Sequence, residues 1–183
     1  MGSTPDHDSR PSIATCEQSA LPEVLAVIND SAKAYESVIP PDCWHDPYMT
    51  ALELSREIQE GVRFHVWSNH RKIEGVMGIQ DLGDVALIRH AYVLTSSRRQ
   101  GIGRELLQHL LGLTTKPVLI GTWRAATWAI RFYEGQGFSL IEGPSKDRLL
   151  RKYWKVSNRQ IEESVVLGNT RVAEWDLRSV GCL

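Results

Sequence analysis

A chain of 183 residues, 42% hydrophobic and 23% charged, has the composition of a globular domain, with enough length for one sizeable core but not for two. Its formal net charge of -1 argues against bulk attraction to nucleic acid or to an anionic membrane, and no apolar run approaches the ~20 residues of a membrane span. Cys16, Cys43 and Cys182 are too few and too scattered for a disulfide framework and read as reduced thiols of a cytoplasmic protein.

Residues 1–11 are polar, lack the apolar stretch of a secretory signal and are expected to form a frayed tail. A short strand is expected over residues 12–16. Leu21, Val24, Leu25, Ile28, Ala32 and Tyr35 then recur at helical spacing. Pro22 suits the first turn of that helix, and Ile39-Pro40-Pro41 stops it. An aromatic-rich loop covers residues 42–49. A second helix is expected over residues 50–60, with Thr50 as N-cap, Glu53 completing a capping box and Gly61 closing it. Val62, Phe64 and Val66 alternate with Arg63, His65 and Trp67, which marks a strand. After a turn at 68–71 a strand runs over 73–80, and after a turn at 81–84 a longer one runs over 85–93. Such short connections predict an antiparallel meander.

The long strand leads into Arg98-Arg99-Gln100-Gly101-Ile102-Gly103-Arg104. Ile102, Leu106, Leu107, Leu110 and Leu111 open a helix over residues 101–111. A glycine loop at a helix N-terminus presents unpaired backbone N–H groups and the positive end of the helix dipole. Glycines allow a close approach to that backbone, and three arginines add full charge. These features predict a phosphate or pyrophosphate site. The helix crosses to a strand over 118–123, and a strand–helix–strand unit favours parallel pairing. A helix over 125–136 ends at Gly137, followed by a strand over 138–141. Residues 146–154 read as a basic helix, Val165-Val166-Leu167 as a last strand, and residues 169–183 stay unassigned. There is no internal repeat.

Arg98-x-x-Gly101-x-Gly103 resembles the acyl-CoA pyrophosphate loop, R/Q-x-x-G-x-G/A, of the GNAT superfamily of N-acetyltransferases. Residues 126–138 resemble that family's later motif, N-x-x-A-x-x-x-Y-E-x-x-G-F: Ala129, Tyr133, Glu134, Gly137 and Phe138 are in place, and Ala126 stands where the family has asparagine. The interval between the motifs holds the rest of one helix and one strand, as the family requires. The resemblance covers residues 13–167. It implies an α/β, single-domain acyl-CoA N-acyltransferase fold with a mixed, mostly antiparallel sheet flanked by helices. The domain is expected over 12–167, between a flexible tail at 1–11 and a C-terminal tail at 168–183. Residues 142–163 are an insertion relative to the family, carrying the helix at about 146–154.

The implied reaction is direct transfer of an acetyl group from acetyl-CoA, the acyl-donor substrate, to a primary amine, with no metal and no catalytic cysteine. Carried over by position, the resemblance assigns coenzyme contacts to the strand residues Ala91, Tyr92 and Val93 and to the loop residues Arg98, Arg99, Gln100, Gly101, Ile102, Gly103 and Arg104. It adds Ala126 and Tyr133 from the later motif. Tyr133 falls at the family's general-acid position, with Ala129 and Ala126 on the same helix face leaving room beside the phenol.

The positions where the family often places a basic glutamate correspond to Leu87 and Gly121, which accept no proton. A base must then come from His90, His65, His45 or an ordered water. His90 ranks first because its strand is nearest the thioester, although strand alternation places it on the face opposite Leu87 and Arg89.

Trp44, His45 and Tyr48 lie in the loop that borders the acceptor pocket in the resembled family, and Trp123 and Trp128 flank the same region. Cys43-Trp44-His45-Asp46 has no zinc spacing and no second ligand pair. The aromatic loop and the neutral chain favour a small-molecule amine over a protein acceptor. A catalytically silent acyl-CoA-binding module and a protein N-acetyltransferase are the alternatives. A nucleotide-binding protein is disfavoured because neither G-x-x-x-x-G-K-[ST] nor G-x-G-x-x-G is present. The basic run at 146–152 is too short for a nucleic-acid patch. Leu149, Leu150, Tyr153 and Trp154 give the inserted segment apolar surface, which predicts either a homodimer contact or a cap over the acceptor site.

Overall fold

A computed structural model describes residues 10–175. Strand β1 (Ser12–Thr15) and helix α1 (Leu21–Ala32) open the described chain. Pro22 sits in the first turn of α1, as expected. The α-helix stops at Ala32, and a single 3₁₀ turn carries the chain through Tyr35, so the helix ends well before the prolines. Helix α2 (Ala51–Gln59) begins at Thr50 with the full capping box: Thr50 Oγ1 accepts from the Glu53 N–H, and the Glu53 carboxylate accepts from the Thr50 N–H at 2.7 Å.

Strands β2 (Val62–Asn69), β3 (Lys72–Asp81) and β4 (Ala86–Val93) form the meander. The β2–β3 turn is only His70-Arg71, both with positive φ (47° and 64°), which matches the right-handed twist of a hairpin. It is therefore tighter than the four-residue turn expected from the sequence. Helix α3 (Ile102–Gly112) leads to β5 (Val118–Trp123), α4 (Thr127–Glu134) and β6 (Ser139–Ile141). The insertion folds as two helices, α5 (Pro144–Tyr153) and α6 (Asn158–Glu163); the second, with its own capping box at Ser157, is not foreseen from the sequence. Strand β7 (Ser164–Gly168) follows, and α7 (Arg171–Glu174) packs Val172 into the core.

The sheet order is β1-β2-β3-β4-β5-β7-β6. Only β4 and β5 pair in parallel; β7 inserts antiparallel between β5 and β6. This is the mixed, mostly antiparallel sheet flanked by helices that the resemblance implies. One face carries α3 and α4 over a cluster that includes Ile88, Leu106, Leu107, Leu110 and Ile120. The other face carries α1 and α2 at one end, over Val62, Phe64 and Val76, and α5 and α6 at the other, over Leu87, Leu119 and Val166. Leu149 and Leu150, 1% and 2% exposed, bury within this second face, so most of the apolar surface of the insertion is covered by its own domain. Among the described residues no helix is long and apolar enough to cross a membrane.

Candidate active site

The site begins where β4 leaves β5. The two strands pair only from Ala86 to Ile88 against Val118 to Ile120, while β5 continues against β7 as far as Trp123. The cause is a bulge in β4: Gly78 faces Arg89 and Val76 faces Tyr92, so Met77 alone stands opposite His90 and Ala91, and His90 has φ 51°. Cavities occupy both sides of the resulting gap. One, of about 740 Å³, lies between the gap, α3, α4 and the end of α1. The other, of about 190 Å³, lies between the gap and the insertion. Tyr35, Ala91, Tyr92 and Tyr133 line both.

At the far end of the larger cavity is the glycine loop. Gly101 is the N-cap of α3 with φ 88°, a left-handed conformation that glycine adopts without strain. Arg98, Arg99, Ile102, Gly103 and Arg104 line the cavity with it. The loop is pinned from behind: Thr95 N–H donates to Asp30 Oδ2 at 2.8 Å and Arg98 donates to the Ser31 carbonyl at 3.1 Å. The hydrogen bond from Thr95 holds the Asp30 carboxyl below its ordinary range despite some desolvation. Glu105, the acid in the first turn of α3, is engaged by Trp67 Nε1 at 2.7 Å. Gln100 does not line the cavity. Ala126 is fully buried in the core and does not line it either; Ala129, one turn later, is the small residue that does.

Tyr133 is 6% exposed and stacks edge-on with Phe132 and Phe138, at 5.0 and 6.0 Å between ring centres. Burial pushes its phenol well above the ordinary tyrosine range, so it holds its proton at neutral pH. Tyr35 is bonded to Thr122, and burial followed by the proximity of Tyr48 pushes it up to about 12. Tyr92 touches both Tyr35 and Tyr48 edge-on.

The bulge also settles the orientation of His90. Regular alternation would send Arg89 and His90 to opposite faces. Instead both reach Glu57 on α2: Arg89 Nη2 lies 3.0 Å from Glu57 Oε1, and His90 Nε2 lies 3.0 Å from Glu57 Oε2. Arg89 Nη1 also donates to Gln80 Oε1 at 3.1 Å. Burial raises the Glu57 carboxyl, but the contact with His90 and the charge of Arg89 outweigh it and hold the pKa below the ordinary value. His90 lines the smaller cavity. Glu57 is the residue that sequence reasoning missed. A capped helix with a mid-helix glutamate carries no mark of function, and only the fold brings it to the bulge.

Of the loop residues expected at the acceptor site, Tyr48 lines the smaller cavity, as does Trp123. Trp44 and His45 stack on Tyr48 at 5.5 and 6.1 Å without lining it. Asn29 secures this loop to α1 by bonding both the N–H and the carbonyl of Met49. Trp128 lines the larger cavity. His65 lines neither, and is paired with His109 at 3.2 Å between β2 and α3. Among the described residues no group of three or more His, Cys, Asp or Glu is placed to hold a metal ion.

A splayed parallel pair with a glycine loop at the N-terminus of the crossing helix defines an acyl-CoA N-acyltransferase fold, and comparison with known proteins agrees. The profile of the family described as Acetyltransferase (GNAT) domain matches residues 25–151. The chain therefore belongs to the GNAT acetyltransferase family. Among solved structures it is similar to a GNAT-family acetyltransferase of Staphylococcus aureus Mu50, with TM-score 0.65 and 18% identity over 87% of this chain and 98% of that one. It is similar also to the PaiA N-acetyltransferase of Thermoplasma acidophilum, in complex with coenzyme A, with TM-score 0.67 and 14% identity over 87% and 98%. A GNAT-family acetyltransferase of Elizabethkingia anophelis with acetyl-CoA bound gives TM-score 0.56 and 16% identity over 87% and 97%. No curated protein sequence matches the chain significantly.

Proposed function

We propose that the chain transfers the acetyl group of acetyl-CoA directly to the primary amine of a small molecule. The observation that carries this reading is the meeting of two cavities at one stretch of β4 that is unpaired on its β5 side, Ala91-Tyr92, beside Tyr133. The larger cavity has the volume, the arginines and the exposed helix N-terminus suited to a pantetheine pyrophosphate. The smaller one has the size suited to a small amine. The coenzyme-bound state of the Thermoplasma and Elizabethkingia proteins supports the same assignment.

In the reaction a nitrogen–carbon bond forms, a carbon–sulfur bond breaks, one proton leaves the amine and one reaches the thiolate. Free β4 backbone N–H groups at the gap are suited to stabilise charge developing on the carbonyl oxygen. His90 takes the amine proton, directly or through one water, with Glu57 orienting the imidazole and stabilising its charged form. Tyr133, held protonated by burial, donates to the departing sulfur. A mixture of purified protein, acetyl-CoA and a panel of primary amines, followed by free thiol release, tests the reading. Release that depends on the amine is expected. A rise in melting temperature with acetyl-CoA but no release with any amine would identify a silent acyl-CoA-binding module instead.

A further inference from the structure

The insertion supplies one wall of the smaller cavity through Leu150, Trp154, Val156 and Gln160. Trp154, the residue that ends α5, lays its indole over Gly121 on β5. A Cβ at Gly121 would stand 3.0 to 3.2 Å from three indole atoms, so the glycine is what allows the ring to lie this close. The Trp154 backbone N–H donates to the Leu150 carbonyl at 3.0 Å, and Leu150 is 2% exposed, so this wall is anchored at its base in the core of the same domain.

We infer that the acceptor is a compact monoamine with a flat apolar body, an arylalkylamine in chemical terms, and that Trp154 sets the upper limit on that body. The inference rests on the transferase reading above and narrows it. Three observations carry it. First, about 190 Å³ falls below the roughly 300–1,000 Å³ of pockets that take drug-sized ligands. Second, three rings line it: Trp123, Trp154 and Tyr48 stand around Ile120, Leu150 and Val156, with the neutral polar groups of Thr122, Gln160 and Ser164 among them. Third, the cavity carries Arg89 and His90 but no carboxylate, and the one they share, Glu57, lines the neighbouring groove instead. That groove, of about 650 Å³, also holds Glu53, Glu60 and Asp84, beyond a partition made by Arg89, Trp154 and Val156. A polyamine or aminoglycoside would leave a second ammonium in the cavity without a carboxylate, which is costly. A peptide amine brings the rest of its chain with it, more than about 190 Å³ holds.

The test compares phenethylamine, tryptamine, spermidine, an aminoglycoside and a lysine-containing peptide as acceptors by thiol release. For the native chain, phenethylamine should exceed spermidine and the peptide in kcat/KM by about tenfold or more. Trp154→Ala should raise the tryptamine-to-phenethylamine ratio of kcat/KM by roughly tenfold and leave the acetyl-CoA Kd within about twofold. Trp154→Phe, a smaller ring on the same anchor, should shift the ratio in the same direction if the alanine variant does not fold. A peptide or spermidine as the best acceptor would overturn the inference while leaving the transferase reading intact. An unchanged ratio in the folded variants would overturn the role of Trp154. No turnover of any amine, with acetyl-CoA still raising the melting temperature, would overturn both.

Discussion

At the scale of single residues, the proposed chemistry rests on two protons moving in opposite directions. Tyr133→Phe removes the proposed donor to sulfur and keeps the ring among Phe132 and Phe138. General acid catalysis is worth roughly 10²–10⁴-fold, and a thiolate of pKa near ~8.5 leaves fairly well unaided, so a loss in kcat near the lower end is expected, with acetyl-CoA affinity nearly unchanged. Native turnover in this variant would reduce Tyr133 to a core residue. On the other side, Glu57→Gln takes a negative charge from His90 while leaving Arg89 and, further out, Lys155 in place. Replacing the carboxylate by a neutral amide loosens its hold on the imidazole, so kcat should fall while acetyl-CoA affinity stays nearly unchanged. Native kcat in the folded variant would restrict Glu57 to stability. The place of Tyr133 beside the cavities was legible in the sequence because its motif surrounds it. The contact of Glu57 with His90 was not, because it follows from a bulge that reverses strand alternation, and nothing near His90 in the sequence announces an extra residue.

At the scale of elements, local signals account for most boundaries. The capping box of α2, the glycine before α3 and the extent of β5 were all readable, since each depends on neighbours in sequence. Elements whose limits depend on partners were not. The α-helix α1 ends at Ala32, ahead of any breaker, and α6 is a six-residue helix held between α5 and β7. The loop–α3 unit carries its own prediction. Gly103 has a conformation open to any residue, and a Cβ there would meet Phe132 at an ordinary 3.5 Å, so Gly103→Val should fold. Its branches, however, would enter the larger cavity where the pyrophosphate is expected. Acetyl-CoA at ~100 times its Kd should stabilise the native chain by about 2.7 kcal/mol, and the corresponding rise in melting temperature should disappear in the variant. An unaltered rise in a folded Gly103→Val protein would remove the loop from the coenzyme site.

At the scale of the whole molecule, the order β5-β7-β6 and the packing of the insertion on the second face shape the smaller cavity. Neither follows from local pattern: β7 reads only as three apolar residues, and its place between two earlier strands is a property of the whole sheet. The packing of α3 on the sheet buries His65 against His109, joining β2 to α3. Burial first, then the charges of His109 and Arg63, hold the His65 pKa below its ordinary value. The unfolded chain therefore takes up this proton more readily, so its contribution is intact above about pH 6.5 and is lost as the pH falls from there toward the depressed folded value. Melting temperature should drop between pH 7 and pH 5, and the drop should be shallower in His65→Gln, which does not titrate; parallel curves would contradict this.

The most direct test of the account is the product itself. Native protein with acetyl-CoA and phenethylamine, analysed by mass spectrometry alongside a thiol assay, should give N-acetylphenethylamine and free coenzyme A in equal amounts, and neither should accumulate without the amine. Protein that binds acetyl-CoA yet yields no acetylated amine from any acceptor of the panel would contradict the claim that the gap between β4 and β5 is a site of acetyl transfer.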